Sequence, residues 1–184
     1  MRFLTGLATV ALIGLVALAA DTKFPLTGGN TTIEFTGTKK DGKHDGGFKK
    51  LAGTATVSGI DATTTKIDVT IETDSLWSDD AKLTGHLKSP DFFDVKTNPT
   101  AKFVATKVEN GKVEGHIITG NLTINGKTKS ITFKAKITAT EGKLAIVAIF
   151  EIDRTDFGMT FGEGKIDKKV AIRLKVESKV ESKS

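Results

Sequence analysis

The residues of this chain that could do acid–base or metal chemistry are few and scattered. Its three histidines are His44, His86 and His116, and none has a partner histidine two or four residues away to form a local zinc-ligand pair. Cysteine is absent, which removes thiolate nucleophiles, thiolate metal sites and disulfides together. Carboxylates are plentiful at Asp74, Asp79, Asp80, Asp91, Asp94, Asp153 and Asp156, and a converging pair could run general acid–base catalysis. Most fall in turn-like segments, where Asp is favoured for local hydrogen bonds. Asp91 and Asp94 are instead expected to pair with Arg154 and pin two loops together. No nucleophile elbow, phosphate loop or dinucleotide fingerprint occurs. The expectation is no enzyme, no catalytic residue, no metal and no resident cofactor.

A different chemistry is written in the apolar residues. Pro90-Asp91-Phe92-Phe93-Asp94 sets two adjacent phenylalanines in a polar connection, where side chains are normally exposed. Phe35, Phe48, Phe103, Phe133, Phe150, Phe157 and Phe161 add further rings, and the chain has no Tyr at all. Phe brings aromatic surface without a hydroxyl that needs a partner. A cavity lined this way would suit a ligand that is mostly hydrocarbon, at roughly 0.8 kcal/mol per buried methylene. An ordinary filled core would use the same residues.

The elements that must carry these side chains read as strands. Ile67, Val69 and Ile71 alternate with charged or polar neighbours. So do Ile131, Phe133, Ala135 and Ile137, and again Val170, Ile172, Leu174 and Val176. Period-two alternation gives one apolar and one wet face, as antiparallel sheets have. Asn110-Gly111 and Asn125-Gly126 are expected to form type I′ hairpin turns, with Asp41-Gly42 and Glu141-Gly142 as weaker turns. Strands are expected near residues 31–39, 44–57, 65–74, 100–109, 112–124, 128–140, 143–153 and 167–178. The fold class is thus all-β, an eight-stranded antiparallel up-and-down barrel. Closure would remove sheet edges and leave room inside for side chains or one small ligand. One short helix belongs in the 75–99 connection, capped by Asp79 or Asp80 and stopped by Pro90.

The N-terminus adds a location. Arg2, an apolar run from Leu4 to Leu18 and Ala17-Leu18-Ala19 read as a secretory signal peptide over residues 1–19, cleaved after Ala19. Residues 20–184 form the mature domain, with its core at about 23–178, in the periplasm or secreted. The formal net charge is +5, falling to +4 without Arg2. Its lysines are spread along strand faces rather than gathered in a stripe, so no nucleic-acid partner is expected. An outer-membrane barrel would need aromatic girdles, against no Tyr and one Trp here.

His86-Leu87-Lys88-Ser89-Pro90-Asp91-Phe92-Phe93-Asp94, then Pro99 and Phe103, then Gly115 and the run Gly120 to Lys129, then Arg154-Thr155-Asp156-Phe157-Gly158, carry a resemblance. In order and spacing they are similar to the YceI-like family of exported lipid- and polyisoprenoid-binding proteins. The resemblance implies an eight-stranded antiparallel, lipocalin-like barrel around a long apolar cavity that takes an isoprenoid chain or quinone lipid. The partner is then an amphiphilic lipid. No membrane span is expected after processing, and a homodimer stays open. The lining is expected from the strand residues Phe35, Val69, Ile71, Phe103, Leu122, Ile131, Phe133, Ile146, Phe150, Ile172 and Leu174. Leu87, Phe92, Phe93 and Phe157 are expected to join it from the connections. The chain departs from the family in its first strands, where Lys39-Lys40-Asp41-Gly42-Lys43-His44 replaces a more apolar segment.

Overall fold

Alternating runs give a curled antiparallel sheet, as their period dictates. The structure, a computed structural model, describes residues 20–180. The leader expected over residues 1–19 lies outside them. Among the described residues the sheet has 11 strands rather than the eight expected. They are β1 (Asp21–Thr27), β2 (Thr31–Lys39), β3 (Gly42–Phe48), β4 (Leu51–Ser58), β5 (Lys66–Glu72) and β6 (Leu76–Ser78), followed by β7 (Thr100–Asn110), β8 (His116–Ile124), β9 (Lys127–Ala139), β10 (Lys143–Asp153) and β11 (Ile166–Lys179). Their spatial order is β1-β4-β5-β7-β8-β9-β10-β11-β2-β3-β6.

Three differences produce the extra strands. β1 precedes the first expected strand and contains Pro25, which weakens a strand signal; it pairs with β4 alone, and an edge is where a sheet tolerates proline. The single strand expected over 44–57 is two, broken at Lys49-Lys50. The three-residue β6 runs beside β3, with Gly47 opposite Trp77, and is too short to show a period. The expected closed barrel is also corrected. β1 and β6 end the order unpaired with each other, so the sheet is a curled half-barrel with two edges. Side-chain and backbone bonds tie β1 to its surroundings: the Ser178 hydroxyl donates to the Pro25 carbonyl at 2.6 Å.

The turns divide. Asn125 and Gly126 adopt φ of 50° and 66°, the two positive angles of a type I′ turn. Neither Asn110 nor Gly111 does so; the connection opens into a loop over 111–115, closed by Gly111 N–H donating to Gly115 O at 2.9 Å. Helix α1 (Ala81–Leu87) is capped by Asp80, whose carboxylate accepts from Leu83 N–H at 2.6 Å. The alternations place Val69, Phe133, Ile146 and Val176 inside, while Lys134, Lys136, Lys169 and Lys175 are exposed. A barrel in a bilayer needs the reverse. Among the described residues no helix is long and apolar enough to cross a membrane.

Candidate functional site

Inside the curl lies a cavity of ≈ 300 Å³. Packed interiors leave few voids larger than a water, and this one reaches the range of small-molecule sites. Its apolar walls are the inner faces of the strands. Phe35, Val69, Ile71, Phe103, Leu122, Ile131, Phe133, Ile146, Phe150, Ile172 and Leu174 all line it. From α1 and the loop after it come Leu87, Phe92 and Phe93. Many of these side chains are packed on their flanks yet remain only partly covered, among them Phe35, Phe93, Phe103, Phe150, Ile172 and Leu174.

Phe157 does not line the cavity. It is 1% exposed within the core, on the 3₁₀ turn Arg154–Phe157. Asp153 caps that turn by accepting from Thr155 N–H at 2.9 Å, and Gly158 leaves it with φ of 82°. This geometry buries the ring among packed side chains.

Two ring systems shape the walls. Phe133 stacks on Phe150 with centroids 4.1 Å apart, and Phe103 tilts against Phe133 at 5.9 Å. Phe93 meets Phe48 edge-on at 5.5 Å, and Phe48 meets Phe35 at 6.2 Å. Glycines make space for these rings. A Cβ on Gly46 would come within 2.4 Å of Phe35 Cζ, and one on Gly120 within 2.4 Å of Phe103 Cζ. The ring tips therefore reach over glycines of the neighbouring strands.

The Phe92-Phe93 loop is held by its own backbone. Phe92 N–H donates to Ser89 O and Phe93 N–H to Leu87 O, each at 3.0 Å. The Asn125 side chain of the type I′ turn donates to Phe92 O. Phe161, from the loop before β11, reaches this region: its ring lies 5.6 Å from Phe92 and 4.7 Å from His86. The two phenylalanine loops thus meet through rings. The expected ionic pinning is overturned. Asp91 Oδ2 pairs with His86 Nε2 at 2.8 Å. Arg154 donates from Nε to Asp167 O at 3.0 Å, from Nη2 to Ile166 O at 3.1 Å, and from Nη1 to Met159 O.

Sequence reasoning missed the polar members of the lining: Thr31, Thr38, Lys39, His44 and Arg154. His44 shares an inward phase with Phe48 on β3, which could have revealed it. Its Nδ1 lies 2.9 Å from Asp79 Oδ1, and Asp79 Oδ2 accepts from Asp45 N–H at 3.0 Å. Those two hydrogen bonds, the backbone one first, hold the Asp79 carboxyl below its ordinary range. Among the described residues no three His, Asp or Glu side chains gather as a metal site.

A family model for the YceI-like domain matches residues 24–178. The UPF0312 protein of Serratia proteamaculans (strain 568) is 35% identical over 178 residues, covering 88% of this chain and 87% of its own. BcnA of Burkholderia cenocepacia is similar in structure, with a TM-score of 0.71, 21% identity, and 80% of this chain and 95% of its own covered. A polyisoprenoid-binding domain from Saccharophagus degradans, implicated in plant cell wall breakdown, has a TM-score of 0.68 at 14% identity. It covers 89% of this chain and 99% of its own. A match across nearly all of the described strands, with a curled sheet shared by those neighbours, places this chain in the YceI-like domain family.

Proposed function

We propose that this protein is an exported lipid-binding protein that holds a long apolar chain, of isoprenoid type, in the cavity of its sheet, and that it binds rather than catalyses. The observation that carries this reading is the set of large apolar side chains on the inner face that stay partly uncovered around ≈ 300 Å³ of space. Burying ten methylenes there would supply on the order of 8 kcal/mol before the costs of association. The name of the Saccharophagus domain, which binds polyisoprenoid, supports the ligand class. The leader-like sequence over residues 1–19 supports export.

The test is direct. The full chain is expressed in a bacterium with a periplasm, and the mature protein is recovered without detergent. It is then extracted with organic solvent, and the extract analysed by mass spectrometry. An isoprenoid or quinone lipid in near-stoichiometric amount is expected. A folded protein that neither retains nor takes up any lipid would refute the reading.

A further inference from the structure

The cavity is apolar along most of its wall but not at one end. Among the described residues, Lys39, His44 and Arg154 are the lining residues that can carry charge, and all three are basic; no Asp or Glu among them lines it. Strand register brings them together. Lys39 on β2 stands opposite Ile166 on β11, and Gly37, two residues before Lys39, stands opposite both Val170 and His44. Arg154 donates to the carbonyl of that same Ile166 at 3.1 Å.

Each of the three has capacity left for a ligand. Arg154 is 4% exposed, and its partners are the carbonyls of Asp167, Met159 and Ile166. A guanidinium has five N–H groups, so two remain after these bonds. Carbonyls satisfy donors but carry no formal charge, and among the described residues no carboxylate forms an ion pair with Arg154. A buried cation without a counter-ion is costly. Lys39 is exposed at the end of β2 and, among the described residues, has no ion-pair partner. His44 has Nδ1 against Asp79, and an ionised carboxylate only accepts. Nδ1 therefore carries a proton toward Asp79, and Nε2, which has no partner among the described residues, can donate to an anion when the ring is the imidazolium, in which both nitrogens carry protons. Nearby carboxylates are engaged without lining the cavity: Asp79 by His44, Asp167 by the Thr38 hydroxyl, and Asp45 by Thr36 and Arg173.

We infer that this end of the cavity receives an anionic head group, a carboxylate or a phosphate, while the apolar chain of the same molecule runs along the phenylalanine-lined wall. The inference rests on the lipid-binding reading and adds the charge and direction of the ligand. Lys39 supplies a mobile cation at the rim, Arg154 an uncompensated fixed one in the wall, and His44, as the imidazolium, an Nε2–H donor oriented by Asp79. The basic hairpin segment from Lys39 to His44, otherwise unexplained, thereby gains a role.

Matched pairs test it. Delipidated protein is titrated by calorimetry with dodecanoate and dodecanol, and with farnesyl phosphate and farnesol, below their aggregation limits. The anion of each pair is expected to bind at least tenfold more tightly than its alcohol. That ratio should fall toward one in Lys39→Gln or His44→Gln, and should weaken as salt is raised. Lys40→Gln, a neighbouring charge that does not line the cavity, should keep the ratio. Preference for one pair alone would identify the head group as carboxylate or phosphate. Equal binding of anion and alcohol would overturn the inference and leave lipid binding standing. Failure of all four ligands would overturn both. A ratio unchanged in both variants would overturn the assignment to this end.

Discussion

At the residue scale, the difference between a lipid site and a filled core comes down to what a larger side chain would meet. Leu174 is half-buried on β11 and lines the cavity. In a close-packed core Leu174→Phe would cost about 1–3 kcal/mol through overpacking. With open space beside it, the variant is expected to melt within about a degree or two of the parent, since 1 kcal/mol corresponds to about 2–4 °C at this size. It should also retain clearly less lipid. A drop of many degrees with lipid content unchanged would show that no such space exists. The sequence made side chains like Leu174, Phe133 and Phe35 legible because period two assigns each to a face. It could not make Arg154 legible. That side chain is held by backbone carbonyls, and every residue has one, so no residue type announces the partners. Phe157 misled for a related reason: it adjoins the site in sequence, but a capped turn sends its ring into the core.

At the scale of elements, carboxylates fasten β3 to its neighbours: Asp45 to β2 and β11, and Asp79, just after β6, to β3. Asp45 sits below its ordinary pKa because the Thr36 hydroxyl and then Arg173 bind its charged form. Asp79 does so through Asp45 N–H and His44. Both groups bind protons less readily when folded than when unfolded. Their contribution to stability is therefore full above the ordinary value of 3.8 and is lost as pH falls through the lower folded values. The urea midpoint is expected to decline below about pH 4, and Asp79→Asn should make that decline shallower. An equal slope in variant and parent would remove Asp79 from the account. The split between β3 and β4 was readable in principle. Inward residues run His44, Gly46, Phe48 and then Leu51 and Gly53, so the phase slips by one at Lys49-Lys50. The slip hides among glycines, which show no face. β1 was obscured by Pro25 and β6 by its length.

At the scale of the whole molecule, the strand pattern identified the class and the face that turns inward but not the count or the closure. Closure depends on whether the first and last strands meet, which is a property of tertiary geometry and has no local signature. Here β1 and β6 do not pair. Backbone amides of these edge strands are expected to gain protection in hydrogen exchange when lipid is loaded, while those of β8 and β9, paired on both sides, change little. Trp77 on β6 is the chain's one tryptophan and should report the same event by its emission. Uniform protection across all strands would contradict this.

That β1 and β6 share no hydrogen-bond ladder also bears on how a cargo gets in. A closed tube admits a chain end first, so loading must slow as the chain lengthens. A sheet unsealed between two edge strands behaves as a cuff: it can part along its length and accept the chain broadside. Loading times for this protein should then be nearly independent of the number of isoprene units, and a cargo with a bulky group at each end should still be admitted.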